Sequence, residues 1–152
     1  MKYPIDSPHT DAMVESRLVY AASAIILKTF DRALASWGLS VQQAPVLINL
    51  REAGRPLIIT ELARHLLLKN PSVSTMVERL KERGLVERVK HPEDRRKTFV
   101  ALTRKGQRLA DTIVKPGHQL QEEMFEALEP GERETLKTIL RKFRDANIDR
   151  IE

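Results

Sequence analysis

Apolar residues between Thr10 and Trp37 recur at steps of three and four: Met13, Leu18, Ala21, Ala22, Ile25, Ile26, Phe30, Ala33, Leu34 and Trp37. That spacing predicts a long helix, and Gly38 supplies its stop. Val14, Val19, Tyr20 and Leu27 fall off the main stripe, so this helix requires a second buried face beyond one small core. Ser40-Val41-Gln42-Gln43 has the form of a capping box. It opens a helix through Ala44, Val46, Leu47 and Leu50 to Gly54, with Pro45 expected to bend the first turn. Pro56 to Ile59 reads as extended, and Thr60 as the cap of a short helix from Glu61 to Leu67. Asn70 then Pro71 reads as N-cap and first helical residue of a helix to Arg83, closed by Gly84. Its apolar stripe is Val73, Met76, Val77 and Leu80.

The stretch LVERVKHPEDRRKTFVAL, Leu85 to Leu102, holds two strand-like runs around a charged tip, HPEDRRK. Thr103 caps a following helix whose apolar positions include Leu109, Ile113, Leu120, Met124, Phe125 and Leu128. Lys115-Pro116-Gly117 is expected to kink or break it. Pro130 opens a last helix with Leu136, Ile139, Leu140 and Phe143 on one face. A capped helix running into a basic-tipped hairpin is the outline of a winged helix-turn-helix, in which the helix enters a major groove and the tip reaches a minor groove.

Charge placement strengthens that outline. The chain carries a net charge of +5, yet from Arg55 to Lys105 there are 13 Lys/Arg against 6 Asp/Glu, and the remainder is acidic. Localised positive charge suits phosphate binding. On the helix from Asn70, the small hydroxyls Ser72, Ser74 and Thr75 permit close approach to base edges, while Arg79 and Lys81 lie one to two turns later, where phosphates would be. At the hairpin tip, Arg95 and Lys97 are placed for DNA contact, and Asp94 and Arg96 for pairing across the turn.

Other chemistries find little support. There is no cysteine, so disulfides, thiolate metal sites and thiol redox sensing are excluded. His9, His65, His91 and His118 lack metal-ligand spacing, and Glu122, Glu123 and Glu126 read as a solvated helix face. No glycine-rich phosphate loop or nucleophile elbow is present, so neither an enzyme nor a cofactor is expected. No apolar run approaches a membrane span, and MKYPIDSPHTD has no signal-peptide core; the expected location is cytoplasmic.

The ordered segments LSVQQAPVLINL, ITELARHLLL, NPSVSTMVERLKERGLVERV and PEDRRKTFVALTRKG together resemble the multiple-antibiotic-resistance regulator (MarR) family over about residues 13–147. The resemblance implies a mainly α fold: a winged helix-turn-helix with a two-stranded β-hairpin wing at 38–103, plus N- and C-terminal dimerisation helices at 10–37 and 104–150. It implies a homodimeric, ligand-responsive repressor on a pseudo-palindromic operator, with double-stranded DNA and a second copy as partners. Asn70–Arg83 takes the place of the recognition helix, Arg95 that of the minor-groove arginine, and Asp94 and Arg96 that of a structural pair in the wing. A small aromatic or phenolic ligand would sit in a crevice involving Tyr20, Phe30, Trp37 and Pro45. Pro45 and Lys115-Pro116-Gly117 depart from helices the family keeps regular. The alternative is a winged-helix protein-assembly module whose basic wing meets an acidic partner.

Overall fold

The computed structural model describes residues 11–90 and 98–151. Among the described residues, six helices and three strands follow one another: α1 (Asp11–Leu34), α2 (Ala44–Ala53), β1 (Leu57–Ile58), α3 (Ile59–Leu66), α4 (Asn70–Glu82), β2 (Val86–Lys90), β3 (Thr98–Leu102), α5 (Arg104–Phe125) and α6 (Pro130–Asn147). Short 3₁₀ turns at Ala35–Trp37 and Ile148–Ile151 extend α1 and α6. The chain divides into two compact units, one extending to Lys115 and the other beginning at Pro116.

The first unit is built on one core. Leu34 and Leu39 come from the end of α1 and the turn after it, and Val46, Leu47 and Leu50 from α2. Leu62 of α3, Val73, Val77 and Leu80 of α4, Val100 of β3, and Ala110 and Ile113 of α5 complete its centre. Leu34, Val46, Leu47, Leu50, Val73, Val77, Leu80 and Ile113 are periodic positions read from the sequence, whereas Met13, Leu18 and Ile25 of α1 and Ile139, Leu140 and Phe143 of α6 are exposed. The sheet has the order β1-β3-β2, all antiparallel, with Leu57 opposite Val100 and Val86 opposite Leu102. β1 therefore adds a third strand to the expected two-stranded hairpin, and it ties the segment before α3 to the wing.

Helix ends account for much of the local order. Gly38, Gly54 and Gly84 all adopt positive φ at the stops expected for them. The Ser40–Gln43 box is present in both directions: the Gln43 N–H donates to Ser40 Oγ and the Ser40 N–H to Gln43 Oε1, each at 3.2 Å. The box closes a turn, and α2 itself starts at Ala44. Pro45 thus lies in the first helical turn, where its missing N–H would have no intrahelical acceptor, and the helix runs on without interruption from it.

Three other expectations need correction. Thr60 is not the cap of α3, which begins at Ile59; instead Glu61 reaches back and accepts the Ile58 N–H at 2.9 Å. Asn70 is already inside α4, with Lys69 as the N-cap and no side-chain capping bond. Lys115-Pro116-Gly117 does not break α5, which continues from Arg104 to Phe125 with Pro116 inside it.

Thr103 does cap α5, accepting the Gly106 N–H at 3.0 Å and donating to the Gly84 carbonyl at 2.7 Å. Gly106 is packed so tightly that a Cβ would stand 1.9 Å from the Leu85 carbonyl oxygen. In the second unit, Arg133 of α6 donates to the Phe125 carbonyl at 3.0 Å and pairs with Glu122 at 2.7 Å, fixing the connection between the two helices.

Candidate nucleic-acid interface

α4 presents the surface on which the functional reading rests. Its buried stripe, Val73, Val77 and Leu80, fixes the rotation of the helix about its axis. At about 100° per residue, Thr75 and Glu82 then lie opposite the core. Ser72 and Arg79 share one flank, and Ser74, Glu78 and Lys81 the other. Ser72, Thr75, Arg79 and Lys81 are exposed, and Ser74 is half-buried. The candidate residues therefore occupy an arc of the helix surface and not a single stripe.

Their hydrogen-bonding states differ. Thr75 Oγ1 donates to the Pro71 carbonyl at 3.0 Å, which commits its proton and leaves its lone pairs and methyl group outward. Lys81 sits 3.5 Å from Glu78. Arg79 has no ion pair among the described residues, so its guanidinium is uncommitted on the outer face.

Two further residues organise this surface. Glu78 pairs with Arg88 of β2 at 2.7 Å, joining the helix to the first strand of the wing. Arg83, at the end of α4, donates to the Gly38 carbonyl at 2.6 Å and the Trp37 carbonyl at 3.2 Å, and Lys105 donates to the Arg83 carbonyl at 2.8 Å. In the sequence alone both residues read as surface charge. The available signal is the placement of LVERV directly after Gly84, which folds a cationic strand back along an acidic position of the helix.

The hairpin strands are present, the first starting at Val86, one residue inside the expected run, and the tip between them, with Asp94, Arg95, Arg96 and Lys97, lies outside the described residues. Of the crevice residues, Phe30 and Trp37 are half-buried against the core at the C-terminal end of α1. Pro45 is half-buried in the first turn of α2. Tyr20 lies ten residues before Phe30, about 15 Å along the helix, and is 76% exposed.

The electrostatics of the unit are those of surface pairs. Arg55 donates to Glu61 at 2.8 Å; that bond, followed by the Ile58 N–H, holds the Glu61 carboxyl below the usual carboxylate range. Arg51 and Gln107 lower Asp111 in the same way. Among the described residues, no cluster of three His, Asp or Glu has the arrangement of a metal site, and no helix is long and apolar enough to cross a membrane.

The MarR family model matches residues 37–97, the segment from the end of α1 through the hairpin tip. The transcriptional repressor NicR of Pseudomonas putida is 35% identical over 105 residues, which is 69% of this chain and 66%, just short of two thirds, of NicR. The multiple antibiotic resistance protein MarR of Salmonella typhimurium is 28% identical over 83% of this chain and 88% of its own length. The chain belongs to the MarR family. Solved MarR-family structures agree with its fold. A mutant MarR from E. coli complexed with operator DNA superposes with a TM-score of 0.79 at 26% identity, covering 84% of this chain and 91% of that one. BpsR of Bordetella bronchiseptica, whose DNA binding is regulated by 6-hydroxynicotinic acid, gives 0.76 at 29% identity, covering 84% and 96%. This MarR-family chain is a winged-helix, DNA-binding transcriptional regulator, and its relatives are regulators and not enzymes.

Proposed function

We propose that the protein is a homodimeric repressor that binds a pseudo-palindromic operator in the cytoplasm and is released by a small aromatic anion. The DNA-binding part is 38–103, and the flanking helices at 10–37 and 104–150 join two copies. The observation that carries the reading is the outer face of α4: exposed Ser72 and Thr75 near its start, the uncommitted Arg79 a turn later, and a basic hairpin directly after it. Ser72, Ser74 and Thr75 meet base edges, Arg79, Lys81 and Lys97 meet phosphates, Arg95 enters the minor groove, and Asp94 with Arg96 holds the wing in shape.

Dimerisation is supported by apolar side chains that stay exposed among the described residues. On α1, Leu18, Val19, Ile25 and Leu27 are each about half exposed, and on α6 Ile139 and Phe143 are each 58% exposed. Such faces are what a second copy buries in an obligate dimer. A ligand site at Tyr20, Phe30, Trp37 and Pro45 is supported by the half-buried positions of the last three and by the Arg83 bond to the Trp37 carbonyl, which links that end of α1 to the end of α4.

The test is binding to a duplex selected from a random library. If roughly 6–10 phosphates are neutralised per dimer, log K falls against log salt with a slope of about −5 to −9. A shallow slope with no preference between duplexes contradicts the proposal and is what an assembly module would give. Titration of aromatic carboxylates should quench Trp37 fluorescence and release the duplex; by linkage, the duplex must weaken ligand binding by the same factor.

A further inference from the structure

The corner between α3 and α4 is built in an unusual way. α3 ends in a Schellman arrangement: the Leu68 N–H donates to the Ala63 carbonyl at 2.9 Å and the Leu67 N–H to the Arg64 carbonyl at 3.3 Å. Leu67 is the residue that takes the left-handed conformation, with φ of 53°. That position is ordinarily glycine, because a Cβ there crowds the following carbonyl. Among the described residues it is the one non-glycine at positive φ.

The leucine gains little from its own fold in exchange. Leu67 is 51% and Leu68 41% exposed, whereas Leu62 one turn earlier and Leu80 on α4 are fully buried. An exposed apolar pair held in a strained corner is more informative than a scattered surface leucine, since strain persists where it serves a function. The corner also has a definite setting. It leads directly through Lys69 and Asn70 into Ser72, and the exposed cations Arg64 and Lys69 stand on either side of it, with exposed His65 beside them. Apolar groups framed by cations match one surface in particular, a DNA groove wall, where thymine methyls and deoxyribose faces lie between phosphates.

We propose that Leu67 is a base-reading residue: in the operator complex its side chain packs on a thymine 5-methyl group at the flank of the α4 footprint, and Leu68 extends that apolar contact over the adjoining deoxyribose. The proposal rests on the DNA-binding reading of α4 and adds to it a thymine preference that comes from the corner and not from the helix.

The experiment uses the full chain and a duplex selected by it. Each thymine is replaced in turn by deoxyuridine, symmetrically in both half-sites, which removes one methyl group and changes nothing else in the base. At one position the wild type should lose about 4-fold per half-site, or roughly 15-fold for the dimer, the effect of one buried carbon. Leu67→Gly and Leu67→Asn both tolerate the left-handed conformation and both remove the apolar contact. Each should bind the thymine duplex more weakly and be indifferent to the uracil replacement at that position. Thermal unfolding of Leu67→Gly should occur at or above the wild-type temperature. Because the readout compares two duplexes on one protein, a variant of altered stability still reports. Retention of the full thymine-uracil difference in both variants overturns the proposal, as does a wild type insensitive at every thymine. A chain that prefers no duplex at all instead overturns the reading of α4, so the two failures are distinct.

Discussion

Glu78 of α4 and Arg88 of β2 meet at 2.7 Å, so the helix proposed to read the major groove is joined by an ion pair to the strand that carries the wing. Both partners are partly exposed, with 46% and 33% of their side-chain surface open to solvent, so the pair contributes little to stability. Its consequence is registration. The same carboxylate also stands beside Lys81, and it places a negative charge within a surface that must approach phosphates.

Glu78→Gln should therefore separate affinity from specificity. Removing the carboxylate lessens repulsion from DNA and releases Lys81, so affinity for random duplex should rise and its salt dependence should steepen. The loosened wing should lower the ratio of specific to random binding. Competition titrations at two salt concentrations measure both quantities, and a variant with unchanged random binding and an unchanged ratio would show the pair to be incidental.

Arg95→Ala should weaken operator binding by about 1–3 kcal/mol per half-site, the usual worth of a specific contact, and leave thermal unfolding unchanged. Arg96→Ala should instead act by loosening the wing, through loss of Asp94 as its partner. Equal operator binding by wild type and Arg95→Ala would remove the wing tip from the interface.

Two glycines on α5 should respond with opposite signs. Gly106→Ala puts a methyl group onto the Leu85 carbonyl, and because that neighbour is backbone, the start of α5 must move. Overpacking of this kind costs about 3 kcal/mol. Gly117 has open space around its position and lies within a helix, so Gly117→Ala should stabilise by about 0.5–1 kcal/mol. Chemical denaturation of the two variants beside wild type measures both, and destabilisation by both would contradict this account of α5.

Acid should weaken the start of α3. The folded-state pKa of Glu61 is depressed by the Arg55 hydrogen bond and the Ile58 N–H, so its contribution is present above the unfolded carboxyl pKa and is lost as pH falls through the lower folded value. Glu61→Gln should be less stable than wild type at neutral pH, and the difference should shrink once wild-type Glu61 is protonated. A constant difference across the acid range would show that the carboxylate charge is not what holds the cap.

The elements legible in the sequence are those fixed by short-range chemistry. Gly38, Gly54 and Gly84 stop helices because positive φ suits a residue without Cβ, and Val86–Lys90 and Thr98–Leu102 are strand-like runs on either side of the charged stretch HPEDRRK. The roles of Thr103 and Gly106 are intelligible only in three dimensions: Thr103 joins the cap of α5 to the Gly84 carbonyl, and Gly106 allows the helix to abut Leu85. What escaped the sequence depends on partners far along the chain. β1 is two residues long and exists by pairing with β3, more than forty positions later. Arg83 reaches back 45 residues to Gly38, and nothing local marks it from any other helix-ending arginine. Thr60 was the better cap by residue type, but β1 and the Arg55–Glu61 pair start α3 earlier. The arc of Ser72, Thr75 and Arg79 was legible because the apolar stripe of α4 fixes which side faces outward; the partners of Thr75 and Lys81 were not, because rotamers decide them.

The central claim is that two copies of this chain read an inverted repeat through α4. The most direct measurement is hydroxyl-radical footprinting on the selected duplex, combined with the mass of the complex in solution. The account predicts one dimer per duplex protecting two symmetric half-sites whose centres lie about 34 Å, one helical turn, apart. Protection of a single half-site by a monomer, or uniform protection without a preferred sequence, would contradict it.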